Sequence, residues 1–294
     1  MKASHQLETD LRVICAPNPS PMTGEGTNSY ILGRNQLVVI DPGPVDADHL
    51  SALRAAIGGL PVEAILVTHA HRDHSPLARQ LSQDTSAPVL AFGDAFAGRS
   101  EQMARLAELG LSGGGEGVDT GFAPDRCLGD GESLHLDGDE IRALWTPGHF
   151  GNHLCFAWRG AVFSGDHVMA WSSTFISPPD GDIGAYMRSL DRLDAEEARV
   201  LYPGHGAAVH DPATRILELR SHRLAREAAI LGALADGPQQ IGGLVRIIYT
   251  DTPVAMHGAA ARNVFAHLID LEARGLVVAE PELGFEARYR LATG

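Results

Sequence analysis

The sequence is short of the groups that mark several common protein classes. Among 294 residues there are three cysteines, Cys15, Cys127 and Cys155, far apart and without a CxxC pair. An odd, scattered set of this kind argues against a disulfide framework and a cysteine-built zinc knuckle. Positive charge is also scarce: 23 Lys+Arg stand against 37 Asp+Glu, a net charge of −14, and Lys2 is the only lysine. A surface of that sign does not grip nucleic acid by bulk charge, although it leaves room for a local basic site. No apolar run approaches the roughly 20 residues of a membrane helix. The opening stretch, MKASHQLETDLRV, has no apolar core of signal-peptide length. The expectation is a soluble protein of a reducing, cytoplasmic compartment, without a membrane partner. With 44% hydrophobic residues, the chain can fill one large domain with an appendage, or two domains.

What is present is a succession of short apolar runs, each closed by turn residues. Residues 28–33 and 35–43 read as strands, 45–59 as a helix through Leu50, Leu53 and Ile57, and 62–68 as a buried strand. A helix over 73–83 and a strand over 87–93 follow. Residues 100–110 look helical, whereas LSGGGEGVDTGFAPD is glycine-rich and reads as a mobile loop. Strands return at 140–149, 153–158, 161–166 and 198–205, with an amphipathic helix over 183–195. After residue 210 the texture changes. A long helix over 211–236, with Asp211 as N-cap and Pro212 behind it, leads to two more helical stretches and a hairpin. Helix, helix, helix, hairpin is the order of a winged helix, so the reading is an α/β domain over 1–214 and a small C-terminal domain over 215–294.

The chemistry gathers in THAHRDHS, residues 68–75. His69 and His71 are two apart at the end of a strand, point the same way and can bind one ion. Asp73 and His74 come slightly later and can face a second. Imidazole and carboxylate are ligands that zinc accepts, and iron and manganese share them. Three more strand ends offer partners: His149 in TPGH, Asp166 in SGD and His205 in PGHG. His153 and His167 lie close in sequence and are candidates for proton donor or for hydrogen-bond partner of a ligand. Asp41, Thr68 and Tyr202 read as turn and supporting residues.

In this order, THAHRDH, TPGH, SGD and YPGHG resemble the metallo-β-lactamase superfamily. The resemblance implies an αββα sandwich with two metals at its edge. His69, His71 and His149 would hold one metal, and Asp73, His74 and His205 the other. Asp166 would bridge them. Secreted zinc β-lactamases of the commonest type carry Cys at the place of Asp166, and flavo-diiron relatives carry Glu at that of His71. Glyoxalase II relatives share the ligands but end in a helical unit unlike residues 211–294. GTNSYILG, IDPGP, SHRLARE, LVRIIYTDTP and HLIDLEARG are similar to the β-lactamase-like-protein-2 family, whose animal members resemble endoribonucleases acting on single-stranded RNA. The stretch 98–127 and the segment HVMAWSST depart from that pattern, and from Arg215 onward 9 Arg balance 9 Asp+Glu.

The resemblance implies a hydrolase in which a hydroxide shared by two zinc ions attacks an ester, thioester or phosphodiester. Asp73 belongs to the catalytic set, chiefly as a ligand. The acidic surface favours a small ester or thioester as substrate, and the tail favours single-stranded RNA. A non-enzymatic alternative, a winged-helix binding protein with a structural metal core, is weaker. Structural zinc sites are closed and four-coordinate, whereas a binuclear site leaves a position open. The winged helix is expected to wall the site or to make the contacts of a homo-oligomer.

Overall fold

The computed structural model describes residues 4–114 and 117–292. The first sheet has seven strands in sequence order: β1 (His5–Glu8), β2 (Leu11–Cys15), β3 (Asn28–Leu32), β4 (Leu37–Ile40), β5 (Val62–Leu66), β6 (Val89–Ala91) and β7 (Arg126–Cys127). Pairing is antiparallel from β1 to β4 and parallel from β4 to β7. The second sheet runs in the order β12-β11-β10-β9-β8, from β8 (Ser133–Leu136), β9 (Asp139–Trp145), β10 (Leu154–Trp158), β11 (Ala161–Gly165) and β12 (Val200–Pro203).

Alternation along the central strands explains the layering. Tyr30, Leu32, Val38, Ile40, Ala64 and Leu66 point between the sheets, where they meet Ala143, Leu154, Phe156 and Phe163. Their neighbours Ile31, Val39 and Ile65 point outward, onto α1 (Ala47–Ile57) and α2 (Leu77–Thr85). Leu144, Cys155, Val162 and Leu201 likewise face α4 (Ile183–Ala195) and the start of α5 (Pro212–Ala235). A strand segment covered on both faces has no polar side to show, which is why the buried stretches YIL, LVVI and AIL are continuously apolar. Each large aliphatic or aromatic side chain so buried contributes about 1.5–3 kcal/mol.

Local signals place the helices. Asp46, Asp182 and Asp211 cap α1, α4 and α5 by accepting from the backbone N–H three residues on, and Gly58 ends α1 at φ 62°. The helix expected over 73–83 starts later, at Leu77, with Pro76 before it. Residues 71–75 instead form a separate turn, in which the N–H groups of His74 and Ser75 both donate to the His71 carbonyl. α3 (Glu101–Glu108) leads to the glycine-rich stretch, of which residues 115 and 116 lie outside the described residues.

α6 (Ile241–Ile248), α7 (His257–Ala273) and the hairpin of β14 (Val277–Glu280) and β15 (Arg288–Leu291) complete the winged helix, with a short β13 (Gln239–Gln240) against β15. α5 serves both parts. Ile216 and Leu219 pack under the second sheet, while Ile230, Ala233 and Leu234 pack into the C-terminal core. Residue 214, the expected end of the first domain, lies in the first turn of α5. Met103 and Leu106 of α3 join the C-terminal core, and Ala266 of α7 joins the sheet's outer layer. Among the described residues no helix is long and apolar enough to cross a membrane.

Candidate metal centre

Strand direction brings the site together. β4 and β5 run parallel, and so do β11 and β12, with β9 two strands away in the same sense. Their C-terminal ends carry Asp41, Thr68 to His74, His149, Asp166 and His205, and these meet at one edge of the sandwich. Two groups of metal-capable side chains result. One is His69, His71, His149 and Asp166; the other is Asp73, His74 and His205; all seven are buried.

Asp41 organises half of this edge. It stands at φ 49°, a left-handed conformation that Asp tolerates better than most residues. Its carboxylate accepts from the Thr68 backbone N–H (2.7 Å), the Thr68 hydroxyl (2.7 Å) and His74 Nδ1 (2.8 Å). Because the Thr68 hydroxyl proton is committed to Asp41, its oxygen accepts from His69 Nδ1 at 2.9 Å. His149 Nδ1 donates to the Phe175 carbonyl (2.7 Å), and His205 Nδ1 to the Gly26 carbonyl (3.2 Å). In all four histidines the outer nitrogen is thus the donor, and Nε2 is turned inward.

The inward atoms are unbalanced without a cation. His71 Nδ1 lies 2.9 Å from His69 Nε2 and 3.1 Å from His149 Nε2. A single proton there cannot bridge both. Burial, with the neighbouring imidazoles, pushes His69 well below its ordinary pKa and His71 to about 3, and burial lowers His149, so this trio stays neutral. In the other group burial opposes protonation, yet the carboxylates raise His74 well above the ordinary value and His205 to about 10. Asp166 spans both groups: Oδ2 is 3.6 Å from His149 Nε2 and 3.3 Å from His205 Nε2, and Oδ1 is 3.5 Å from His74 Nε2. Asp73 Oδ2 is 3.4 Å from His74 Nε2 and 3.2 Å from His205 Nε2. The Oδ1 atoms of Asp73 and Asp166 are buried without a hydrogen-bond partner. Convergent neutral nitrogens and unpartnered carboxylate oxygens are a set suited to metal cations.

His153 and His167 sit away from the open side. His153 is fully buried; its Nδ1 meets the Thr146 hydroxyl (3.0 Å) and its Nε2 accepts from the Asp166 backbone N–H (3.3 Å). That places it behind Asp166, where it orients the carboxylate's backbone, and removes it from reach of a leaving group. His167 is also fully buried, with its ring 4.5 Å from that of Tyr186 and its pKa pushed down by burial to about 3. Neither lines the cavity. Tyr202 is remote too, since its hydroxyl donates to Glu8 at 2.5 Å.

A cavity of about 220 Å³ opens over His71, Asp73, His149, Asp166 and His205. Its walls come from Pro21 and Met22, from Met169 and Ser172 to Phe175, and from the C-terminal part: Arg226, Tyr249, Thr252, Met256, Ala259, Ala260 and Asn263. None of the described residues of 98–127, the stretch that departs from the family pattern, is among the lining residues. Its end binds the metal turn from outside instead, through Arg72 N–H to the Gly117 carbonyl and Asp119 N–H to the Ala70 carbonyl. Arg226 and Asn263 are not singled out from the sequence as site residues, because it is the packing of α5 and α7 that brings them to the cavity. Trp171, the unusual residue of HVMAWSST, covers the glycines at 24 and 206.

YPGHG also shows why its first glycine is required. A Cβ at Gly204 would stand 2.5 Å from Asp166 Oδ1 and 2.7 Å from His74 Cε1. Gly204→Ala should therefore keep the fold by circular dichroism but lose metal, with activity down at least about tenfold. Full metal content by elemental analysis would contradict this.

Comparison with known proteins agrees with the geometry. Residues 22–205 match the metallo-β-lactamase superfamily, and residues 241–285 match the β-lactamase-associated winged helix domain. A β-lactamase-like protein 2 homolog of Drosophila melanogaster is 29% identical, with 92% of this chain and 90% of that protein covered. An atrochrysone carboxyl ACP thioesterase of Aspergillus chevalieri is 28% identical, over 85% of this chain and 74% of that protein. The crystal structure of a metallo-β-lactamase family protein from Thermus thermophilus superposes with a TM-score of 0.75 at 28% identity, covering 97% of this chain and 100% of that one. Sandwich, His/Asp metal cluster and appended winged helix are thus those of one family: the chain belongs to the metallo-β-lactamase superfamily.

Proposed function

We propose that the protein is a binuclear zinc hydrolase of small acyl esters or thioesters. In this reading His69, His71 and His149 hold one ion, Asp73, His74 and His205 the other, and Asp166 both. The part up to residue 214 carries the metals, and the part from 215 closes the cavity over them. The observation that carries the reading is the cavity itself. At about 220 Å³ it is smaller than the roughly 300–1,000 Å³ of sites enclosing a drug-sized ligand, and much of its wall is apolar: Pro21, Met22, Met169, Phe175 and Met256. Such a space suits the reacting end of an acyl group. Single-stranded RNA is generally held on a long basic groove with stacked bases, and the net charge of −14 does not favour one. The similarity to a thioesterase supports the same choice.

The bound metals would supply an acidified water as nucleophile and a Lewis acid for the carbonyl oxygen. The chain's own groups do the rest. Asp73 lines the cavity and acts chiefly as a ligand, its carboxylate set beside the Nε2 atoms of His74 and His205. Asp41 and the Phe175 and Gly26 carbonyls keep the Nε2 atoms of His74, His149 and His205 turned inward. Met22, Met169 and Met256 keep bulk water away from the acyl group.

The test is elemental analysis together with a substrate panel of short-chain acyl thioesters and labelled single-stranded RNA, before and after chelation. Two zinc ions per chain, and thioester hydrolysis lost on chelation and restored by zinc, are expected. RNA cleavage without thioester hydrolysis would overturn the substrate assignment, and absence of bound metal would overturn the whole reading.

A further inference from the structure

The part of the cavity wall that comes from the C-terminal residues carries a guanidinium with little to bind. Arg226 of α5 is held in place by its own domain: Nη1 donates to the Ile248 carbonyl at 3.1 Å, and Cζ lies 4.4 Å from the centre of the Tyr249 ring. Among the described residues it forms no ion pair. One of its five N–H groups is used, and the side chain is partly buried, facing the cavity. The hydroxyls of Tyr249 and Thr252 line the same wall, and among the described residues neither makes a hydrogen bond.

A second cation stands behind this wall. Arg223 is 2% exposed and has no carboxylate partner among the described residues. It donates to the Thr174 carbonyl and to Asn263 Oδ1 (3.3 Å), both from residues that line the cavity, and its Nε is buried without a partner. Burying a charge without a counter-charge is costly; Asp73 and Asp166 line the same cavity but belong to the metal groups and pair with neither guanidinium, so two guanidiniums without a carboxylate partner favour an anion arriving from outside. The surplus is local, because the protein as a whole carries −14 and repels anions.

We propose that this wall is an anion-binding subsite. Arg226, with the Tyr249 and Thr252 hydroxyls, holds a carboxylate or phosphate group of the substrate remote from the bond that is cleaved. The inference rests on the hydrolase reading and narrows its substrate class to acyl esters or thioesters bearing a second, negatively charged end. Arginine suits the task because its planar fork matches the two oxygens of such a group.

The experiment compares succinyl and butyryl thioesters of N-acetylcysteamine, equal in chain length and different in terminal charge, with wild type, Arg226→Met and Arg226→Lys. Wild type should prefer the succinyl substrate. In Arg226→Met the succinyl-to-butyryl ratio of kcat/KM should fall at least about tenfold, mainly through KM, and Arg226→Lys should recover part of it. An unchanged ratio overturns the proposal. A second readout does not need turnover: the rise in Tm given by succinate or by inorganic phosphate. A rise that depends on Arg226 supports the subsite, and the more effective anion identifies its chemistry; a rise that persists in Arg226→Met belongs to the metals and counts against it. If wild type cleaves neither thioester yet shows the Arg226-dependent rise, the hydrolase reading fails and the anion site stands.

Discussion

Replacing Asp166 by alanine is expected to lower the metal content from about two ions per chain to one or none, and to cut hydrolysis by on the order of 10³. The Asp166 carboxylate is placed against both groups, within 4.0 Å of the inward nitrogens of His69, His74, His149 and His205. Burial alone would raise its pKa, but the facing His205 and His74 hold it well below the usual carboxylate range, so it is ionised. Without it the inward nitrogens lose their shared negative charge, and two cations brought close together would repel each other unscreened. Elemental analysis and thioester turnover check the outcome, with circular dichroism as the control for folding. A variant that kept both metals and its turnover would rule out a bridging role.

The second large effect is expected at a residue that touches no substrate. Asp41→Asn keeps size and shape but replaces one carboxylate oxygen by an amide NH₂. All three of its partners are donors here: the Thr68 N–H, the Thr68 hydroxyl and His74 Nδ1. The backbone N–H cannot change its role, so the amide oxygen stays with it and the NH₂ turns to the other two. His74 then carries its proton on Nε2, pointed into the metal group, and the Thr68 hydroxyl reverses. Loss of about 10–100-fold in metal affinity follows from such a misdirected supporting bond. Titration with zinc against a competing chelator measures it. Affinity unchanged within a factor of two would show that His74 is oriented by something other than Asp41.

How far the sequence carried can be judged residue by residue. Both faces of β4 are covered, and its residues announced this as an unbroken apolar run, LVVI; β3 and β5 are apolar in YIL and AIL, where they are buried. Asp211 and Pro212 marked the start of α5 correctly because capping is a local interaction. The seven residues singled out as ligands come together at one edge, since each ends a strand and strand ends share an edge when the strands run in the same sense. Legibility was poorer where the deciding contact is distant. His153 and His167 were candidates for proton donor or for hydrogen-bond partner of a ligand because they neighbour His149 and Asp166 in sequence; the fold turns both into the interior, where His153 accepts from the Asp166 backbone N–H. The helix placed at 73 begins at Leu77, because the turn that aims Asp73 and His74 at the site has its own hydrogen bonds.

The sequence by itself determined the metal-capable groups, the strands that end in them and the presence of a separate C-terminal unit. All three are written in spacing and periodicity, which act over a few residues. Only the tertiary structure decided what shares the cavity with the metal-capable groups. Arg226, Tyr249, Thr252 and Asn263 reach the cavity because α5 spans the two cores and α7 packs beside it. Their arrival depends on burying apolar surface between parts of the chain far apart in sequence, a non-directional force that leaves no local signature.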